Sequence, residues 1–137
     1  MIAAARQTWP GIVARVISEP FHGIGVAVPI NALTYSYPDE AYEAAEELAA
    51  RIEKELVVWS QNYPETPFVF LKALCVGGNC MYEGYVCKNG AMRFQACDEQ
   101  ANTGDALGQL VDALGVELPA TNYFAPLVRG YFDDDAR

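Results

Sequence analysis

Asn89-Gly90 is the pair of residues that most narrows what this chain can become. A two-residue type I′ turn needs positive φ at both central positions, and Asn-Gly meets that need at little cost. Strand-forming runs flank it, Met81 to Lys88 before and Ala91 to Cys97 after, so the spacing predicts an antiparallel hairpin. Regular pairing outward from such a turn sets Cys87 opposite Met92 and Cys97 opposite Tyr82. Because side chains alternate along a strand, Met81, Glu83, Tyr85, Cys87, Met92, Phe94 and Ala96 share one face. Cys80, Tyr82, Val86, Arg93, Gln95 and Cys97 share the other.

Three further strands are expected. Phe68 to Val76 is an almost continuous apolar run broken by Lys72, the pattern of a central strand covered on both faces. Gly77-Gly78-Asn79 is the turn after it, and a loop there places Cys75 opposite Cys80. Residues 12–18 and 24–30 are β-branched-rich and joined by Glu19-Pro20-Phe21-His22-Gly23, a hairpin in its own right.

Two helices complete the pattern. Ser36-Tyr37-Pro38-Asp39 has the capping and first-turn residues of a helix start. From there to about Val58, Tyr42, Ala45, Leu48, Ala49, Ile52, Leu56 and Trp59 recur at steps of three and four, a core-facing stripe. The opposite face carries Asp39, Glu40, Glu43, Glu46, Glu47, Glu53 and Glu55, offset only by Arg51 and Lys54. A second helix follows Asn102-Thr103, with Leu107, Leu110, Val111 and Leu114 on one stripe and Gly115 as its stop. The last twenty or so residues read as irregular. The expected order is ββαβββα: an α+β domain spanning residues 1–137, with about five antiparallel strands and two helices packed on one face. A chain of 137 residues suits one such domain.

Composition excludes several classes. Hydrophobic residues make up 52% and charged residues 20%, which rules out intrinsic disorder. The net charge of −9 excludes broad electrostatic binding to bare nucleic acid or an anionic membrane. No window approaches the length of a membrane span. Met1-Ile2-Ala3-Ala4-Ala5-Arg6 lacks the form of a secretory signal, so a cytoplasmic, reducing setting is expected, with the four cysteines as thiols.

Motifs for chemistry are sparse. Gly23-Ile24-Gly25 lacks a third glycine and precedes a strand, where a dinucleotide fingerprint needs a helix. There is no Walker A loop, H-E-x-x-H or G-x-S-x-G, and no cofactor is expected. Cys75, Cys80, Cys87 and Cys97 have no paired C-x-x-C spacing, and Cys80 and Cys87 fall on opposite faces. Four thiolates therefore do not converge, and no bound metal is expected. A Cys75–Cys80 or a Cys80–Cys97 disulfide is geometrically open, but small apolar thiols filling a sheet face are the simpler reading. His22, the one histidine, lies in a turn with no evident partner for general-base work. Cys75 beside Gly77-Gly78 is a candidate nucleophile with no basic neighbour to activate it.

Two functional readings follow. In the first, the chain is a non-enzymatic domain that binds a protein with a basic surface through Asp39, Glu40, Glu43, Glu46 and Glu47. Its sharpest form is a charge mimic that inhibits or regulates a nucleic-acid-handling partner. Asp133-Asp134-Asp135 is a rival acidic surface; it lacks the alternation of a calcium loop. The bland counterpart is a solvated helix face, supported by Glu47, Arg51 and Glu55 at intrahelical pairing distance. In the second reading, a small enzyme or ligand-binding domain uses a sheet face lined by tyrosines and cysteines. Tyr35, Tyr37, Tyr82, Tyr85 and Tyr123 are the aromatic candidates.

Overall fold

A computed structural model of the 137-residue chain describes residues 1–28, 39–76, 79–98, 105–118, 124–128 and 130–132, with the backbone alone for 39–42, 75–76 and 79. The elements in order are α1 (Ile2–Thr8), β1 (Val13–Ile17), β2 (Gly23–Ala27), α2 (Asp39–Trp59), β3 (Phe68–Val76), β4 (Asn79–Lys88), β5 (Ala91–Cys97) and α3 (Ala106–Val111). Short 3-10 turns follow α2 at Ser60–Asn62 and α3 at Asp112–Leu114, and a third lies at Ala125–Leu127. The protein is α+β, as expected, but among the described residues there are three α-helices, and the strands form two antiparallel sheets, β1-β2 and β3-β4-β5, not one. The chain divides into two compact units, residues 1–52 with 124–137, and residues 53–123.

In the first unit, β1 and β2 pair from Val13↔Ala27 to Ile17↔Gly23. Helix α1 is an addition to the expected pattern. Its sequence, Ile2-Ala3-Ala4-Ala5-Arg6-Gln7-Thr8, is too short for a periodic stripe to show, but three alanines in a row favour helix intrinsically. Its end is held from outside: Arg51 Nη2 donates to the Thr8 carbonyl at 2.8 Å, and Arg6 Nη2 donates to the Ala14 carbonyl of β1 at 2.9 Å. Among the described residues of this unit, Ala5, Trp9, Ile12, Ala14, Ile17, Ile52 and Phe124 are buried. The segment 124–132 is anchored by aromatics. Phe124 stacks on Phe21 at 6.3 Å, and the Arg15 guanidinium lies 4.6 Å from the Tyr131 ring centre while donating to the Tyr131 carbonyl. Gly25 leaves the space that Phe132 occupies, since a Cβ there would come within 2.9 Å of that ring.

In the second unit, β4 is the central strand, and Tyr85, Val86 and Cys87 are buried in succession. The expectation of β3 at the centre is corrected: among the described residues β3 is an edge, with Lys72, Ala73 and Leu74 exposed. Helices cover both faces of this sheet, not one. The Tyr85 hydroxyl donates to the Glu53 carbonyl at 2.5 Å, and the Cys87 thiol reaches the Leu56 carbonyl at 3.9 Å, so the end of α2 lies on that face. Gly84, one step out of phase, faces α3: a Cβ there would meet Leu110 Cδ1 at 3.2 Å and the Phe70 carbonyl oxygen at 2.0 Å. Ala106, Leu107, Leu110, Val111 and Val116 are buried, while Leu114, expected in the core, is only half-buried, as is Leu48 in the first unit. Gly115 adopts φ 76°, the left-handed stop predicted for it.

The hairpin turn is as read from sequence, with φ 50° at Asn89 and 75° at Gly90. The register beyond it is not. Cys87 pairs with Met92, but Val86 pairs with Phe94, so Arg93 is an extra residue that bulges β5. Every residue past the bulge then changes face. Phe94 and Ala96 join Val86 and Gly84, and Cys97 sits opposite Glu83, not Tyr82.

Candidate functional site

The acidic face of α2 is built by helical periodicity. Glu43, Glu46 and Glu47 are exposed, as are Glu53, Arg51 and Lys54. Glu43 and Glu47 stand one turn apart with like charge, an arrangement that costs the helix a few tenths of a kcal/mol (roughly 0.2–0.5). Asp39 and Glu40 lie in the first turn of the same helix by backbone position. Their side chains, and the whole of Asp133-Asp134-Asp135, lie outside the described residues. The structure thus brings Glu43, Glu46 and Glu47 onto one solvent-facing patch.

The tyrosine and cysteine candidates divide differently. Tyr35, Tyr37 and Tyr123 lie outside the described residues, as does the Cys75 side chain. Tyr85 and Cys87 lie under the end of α2. Desolvation pushes the Tyr85 hydroxyl well above its usual range, and the nearby Cys87 and Glu53 raise it further. Burial likewise raises the Cys87 thiol, partly opposed by a hydrogen bond with Ser60. Both groups are protonated at neutral pH and occupied by helix carbonyls, a poor arrangement for nucleophilic chemistry. Cys97 is partly exposed, with its sulfur 3.7 Å from Glu83 Oε2. His22 is exposed in the link between β1 and β2.

The expectation of four thiols holds at Cys87 and Cys97, which are free, and is corrected at Cys80, which is disulfide-bonded. The backbone register sets Cys75 directly opposite Cys80, as the turn reading required. Residues directly opposite in an antiparallel pair stand at a Cα separation a disulfide spans.

Two residues that sequence reasoning passed over do the polar work of the second unit. Ser60, fully buried, donates from its hydroxyl to the Val57 carbonyl at 2.5 Å and accepts the Gly90 N–H at 2.8 Å. It ties the end of α2 to the Asn89-Gly90 turn. Asp98 accepts the Tyr82 N–H on one carboxylate oxygen at 2.8 Å and the Ala106 N–H on the other at 2.9 Å. It extends the β4–β5 ladder and satisfies an amide in the first turn of α3, at a separation of eight residues that no local capping pattern reveals.

Among the described residues no three of the His, Cys, Asp and Glu side chains are grouped to hold a metal ion, and no helix is long and apolar enough to cross a membrane. No protein-family model, no curated protein and no solved structure matches the chain.

Proposed function

We propose that this chain is a non-enzymatic domain that binds a protein with a basic surface through the acidic face of α2. The observation that carries the reading is the contrast between two sets of polar groups. Glu43, Glu46 and Glu47 are presented to solvent from one helix, whereas the Tyr85, Cys87 and Ser60 groups are occupied in holding the fold. A four-residue step along a helix advances about 6 Å, so the carboxylates form a closely spaced row of one sign. In its sharper form the partner handles nucleic acid, the row occupies the groove that receives phosphates, and the chain acts as an inhibitor or regulator. Steering by such a row is long-range and screened by salt.

The test is binding to a partner captured from the native host at low salt, comparing the wild type with the Glu43→Lys, Glu46→Lys, Glu47→Lys triple variant. The expected result is an affinity that falls steeply with salt for the wild type and by more than about tenfold in the variant, because like charges then meet across the interface. Equal affinity of the two proteins at physiological salt would leave α2 a solvated face. Loss of binding only on neutralising Asp133, Asp134 and Asp135 would move the surface to the chain's end.

A further inference from the structure

The cysteines of the second unit stand in different environments. Cys87 is fully buried, with its thiol toward the Leu56 carbonyl. Cys97 is free and half-buried, on the face of Glu83. Cys80 is exposed and disulfide-bonded. The chain has four cysteines, and with Cys87 and Cys97 free, Cys75 is the one that remains to bond Cys80.

The strand register supplies a second, independent reason. The Tyr82 N–H points toward Asp98, on the β5 side of β4. Consecutive residues of an antiparallel ladder alternate sides, so Cys80 also directs its N–H away from β3. Cys75 and Cys80, directly opposite, are therefore a non-hydrogen-bonded pair. Side chains stand closer in that type of pair, at a backbone separation that a disulfide spans.

We propose that Cys75 and Cys80 form a reversible thiol–disulfide site, opened and closed by exchange with an external dithiol. Cys80 is exposed, so an attacking thiolate reaches its sulfur from solvent, and exposed disulfides are the labile ones. The dithiol's thiolate attacks Cys80 Sγ, the bond to Cys75 breaks, and Cys75 leaves as a thiolate that takes up a proton. The second thiol of the reductant then attacks the mixed disulfide. Cys80 leaves and is protonated, and the reductant becomes a disulfide. Two electrons and two protons have passed to the cysteine pair. The chain's own thiols do not compete: Cys87 is buried, and Cys97 lies on the opposite face of the sheet from Cys80. The site thus has two states without internal reshuffling.

Opening it acts locally. The bond closes a loop of four residues, 76–79, and so short a loop adds little chain-entropy stabilisation. Inward of it, the β3–β4 ladder continues from Leu74↔Met81 to Phe68↔Cys87 and holds the hairpin in either state. What loosens is the end of the ladder at Leu74 and Met81, both exposed and lightly packed.

The test begins with the full chain equilibrated with oxidised and reduced glutathione, alkylated in denaturant and cleaved after Lys and Arg without reductant. Peptide 73–88, which holds Cys75, Cys80 and Cys87, should be two hydrogens lighter than its thiol form and alkylated only at Cys87. Dithiothreitol added to the folded chain should open positions 75 and 80 to alkylation and leave Cys87 unlabelled, and oxidised glutathione should close the bond again. The far-UV circular dichroism spectrum should not change. Amide exchange should quicken severalfold at Leu74 and Met81 and stay constant at Phe70 and Tyr85. Cys75→Ser should show the fast exchange without reductant; if it fails to fold, the two redox states of the wild type decide by themselves. A bond from Cys80 to Cys97, or thiols at 75 and 80 at every glutathione ratio, overturns the proposal. So does a bond that dithiothreitol opens only in denaturant, or equal exchange at Leu74 and Met81 in both states, either of which would make the pair a fixed clasp.

Discussion

The two halves of α2 share one helical period and behave in opposite ways. Toward its C-terminal end the backbone is gripped from outside: Tyr85 donates to the Glu53 carbonyl, Cys87 to that of Leu56, and Ser60 to that of Val57. Helix ends leave the last four carbonyls without intrahelical partners, and here Leu56 and Val57 lie in that last turn, while the Tyr85 hydroxyl adds a second donor to Glu53 one turn earlier. Over Glu43, Glu46 and Glu47 the side chains are exposed and of one sign. The contrast teaches that an amphipathic stripe reports which side of a helix is apolar, not which of its polar groups are consumed by the fold. Substitutions in the gripped half should act on stability, and those in the acidic half on association.

The largest effect is expected from Leu56→Ala. Leu56 is 7% exposed, and removing most of a buried side chain without full collapse of the site costs about 2–5 kcal/mol. Urea denaturation measures it; a cost near zero would mean that the end of α2 does not pack as described. Ser60→Ala comes next. It leaves the Gly90 N–H without its acceptor and the Val57 carbonyl without its hydroxyl donor, for roughly 1–3 kcal/mol. Amide exchange at Gly90 should accelerate in the same variant; unchanged exchange there would separate the turn from the helix end.

This also marks how far the sequence could be read. The Asn89-Gly90 turn, the β1–β2 hairpin, the α2 stripe and the Gly115 stop are local chemistry, and each is visible in a few neighbouring residues. The bulge at Arg93 is not, because nothing in Ala91-Met92-Arg93-Phe94 distinguishes regular pairing from one extra residue. That single residue moved Cys97 onto the face of Glu83. The place of β3 misled for a related reason: an apolar run reports burial by packing, not the number of strands beside it. Of the acidic site, the face was legible from periodicity, while the roles of Ser60 and Asp98 depend on residues brought together only by folding.

A pH dependence is the next smaller effect. Tyr85 and Cys87 are neutral when protonated, and burial raises both in the folded chain above their ordinary values of 10.0 and 9.0. As pH climbs through those values the unfolded chain releases its protons first and binds fewer than the folded one. Their stability contribution is therefore complete below about pH 9 and declines as pH rises beyond it. Urea midpoints measured from neutral pH into that range should fall. In Tyr85→Phe the fall should be shallower, because one of the two groups no longer ionises. A slope unchanged by Tyr85→Phe would assign the dependence elsewhere.

The smallest effect on stability, and the sharpest contrast with Leu56→Ala, belongs to Glu43→Lys. Glu43 is exposed, so the substitution opens no cavity and leaves no buried group unpaired. What changes is a one-turn neighbour relation. Glu43 and Glu47 repel across a helical step, whereas an ammonium group introduced at position 43 would attract Glu47. Before other factors the swing is about 0.4–1.0 kcal/mol in the stabilising direction. Two factors trim the gain. The order with lysine N-terminal to glutamate is the less favourable of the two. The position also lies near the start of α2, where the helix dipole disfavours a cation. The net shift should stay within about 0.5 kcal/mol of wild type, and whatever part of it arises from the charge pair should vanish at high salt. Thermal unfolding at low and high salt reads it directly. A loss above about 1 kcal/mol would show that Glu43 is engaged by the fold, which would erase the difference between the two halves of α2 and remove Glu43 from the surface available to a partner.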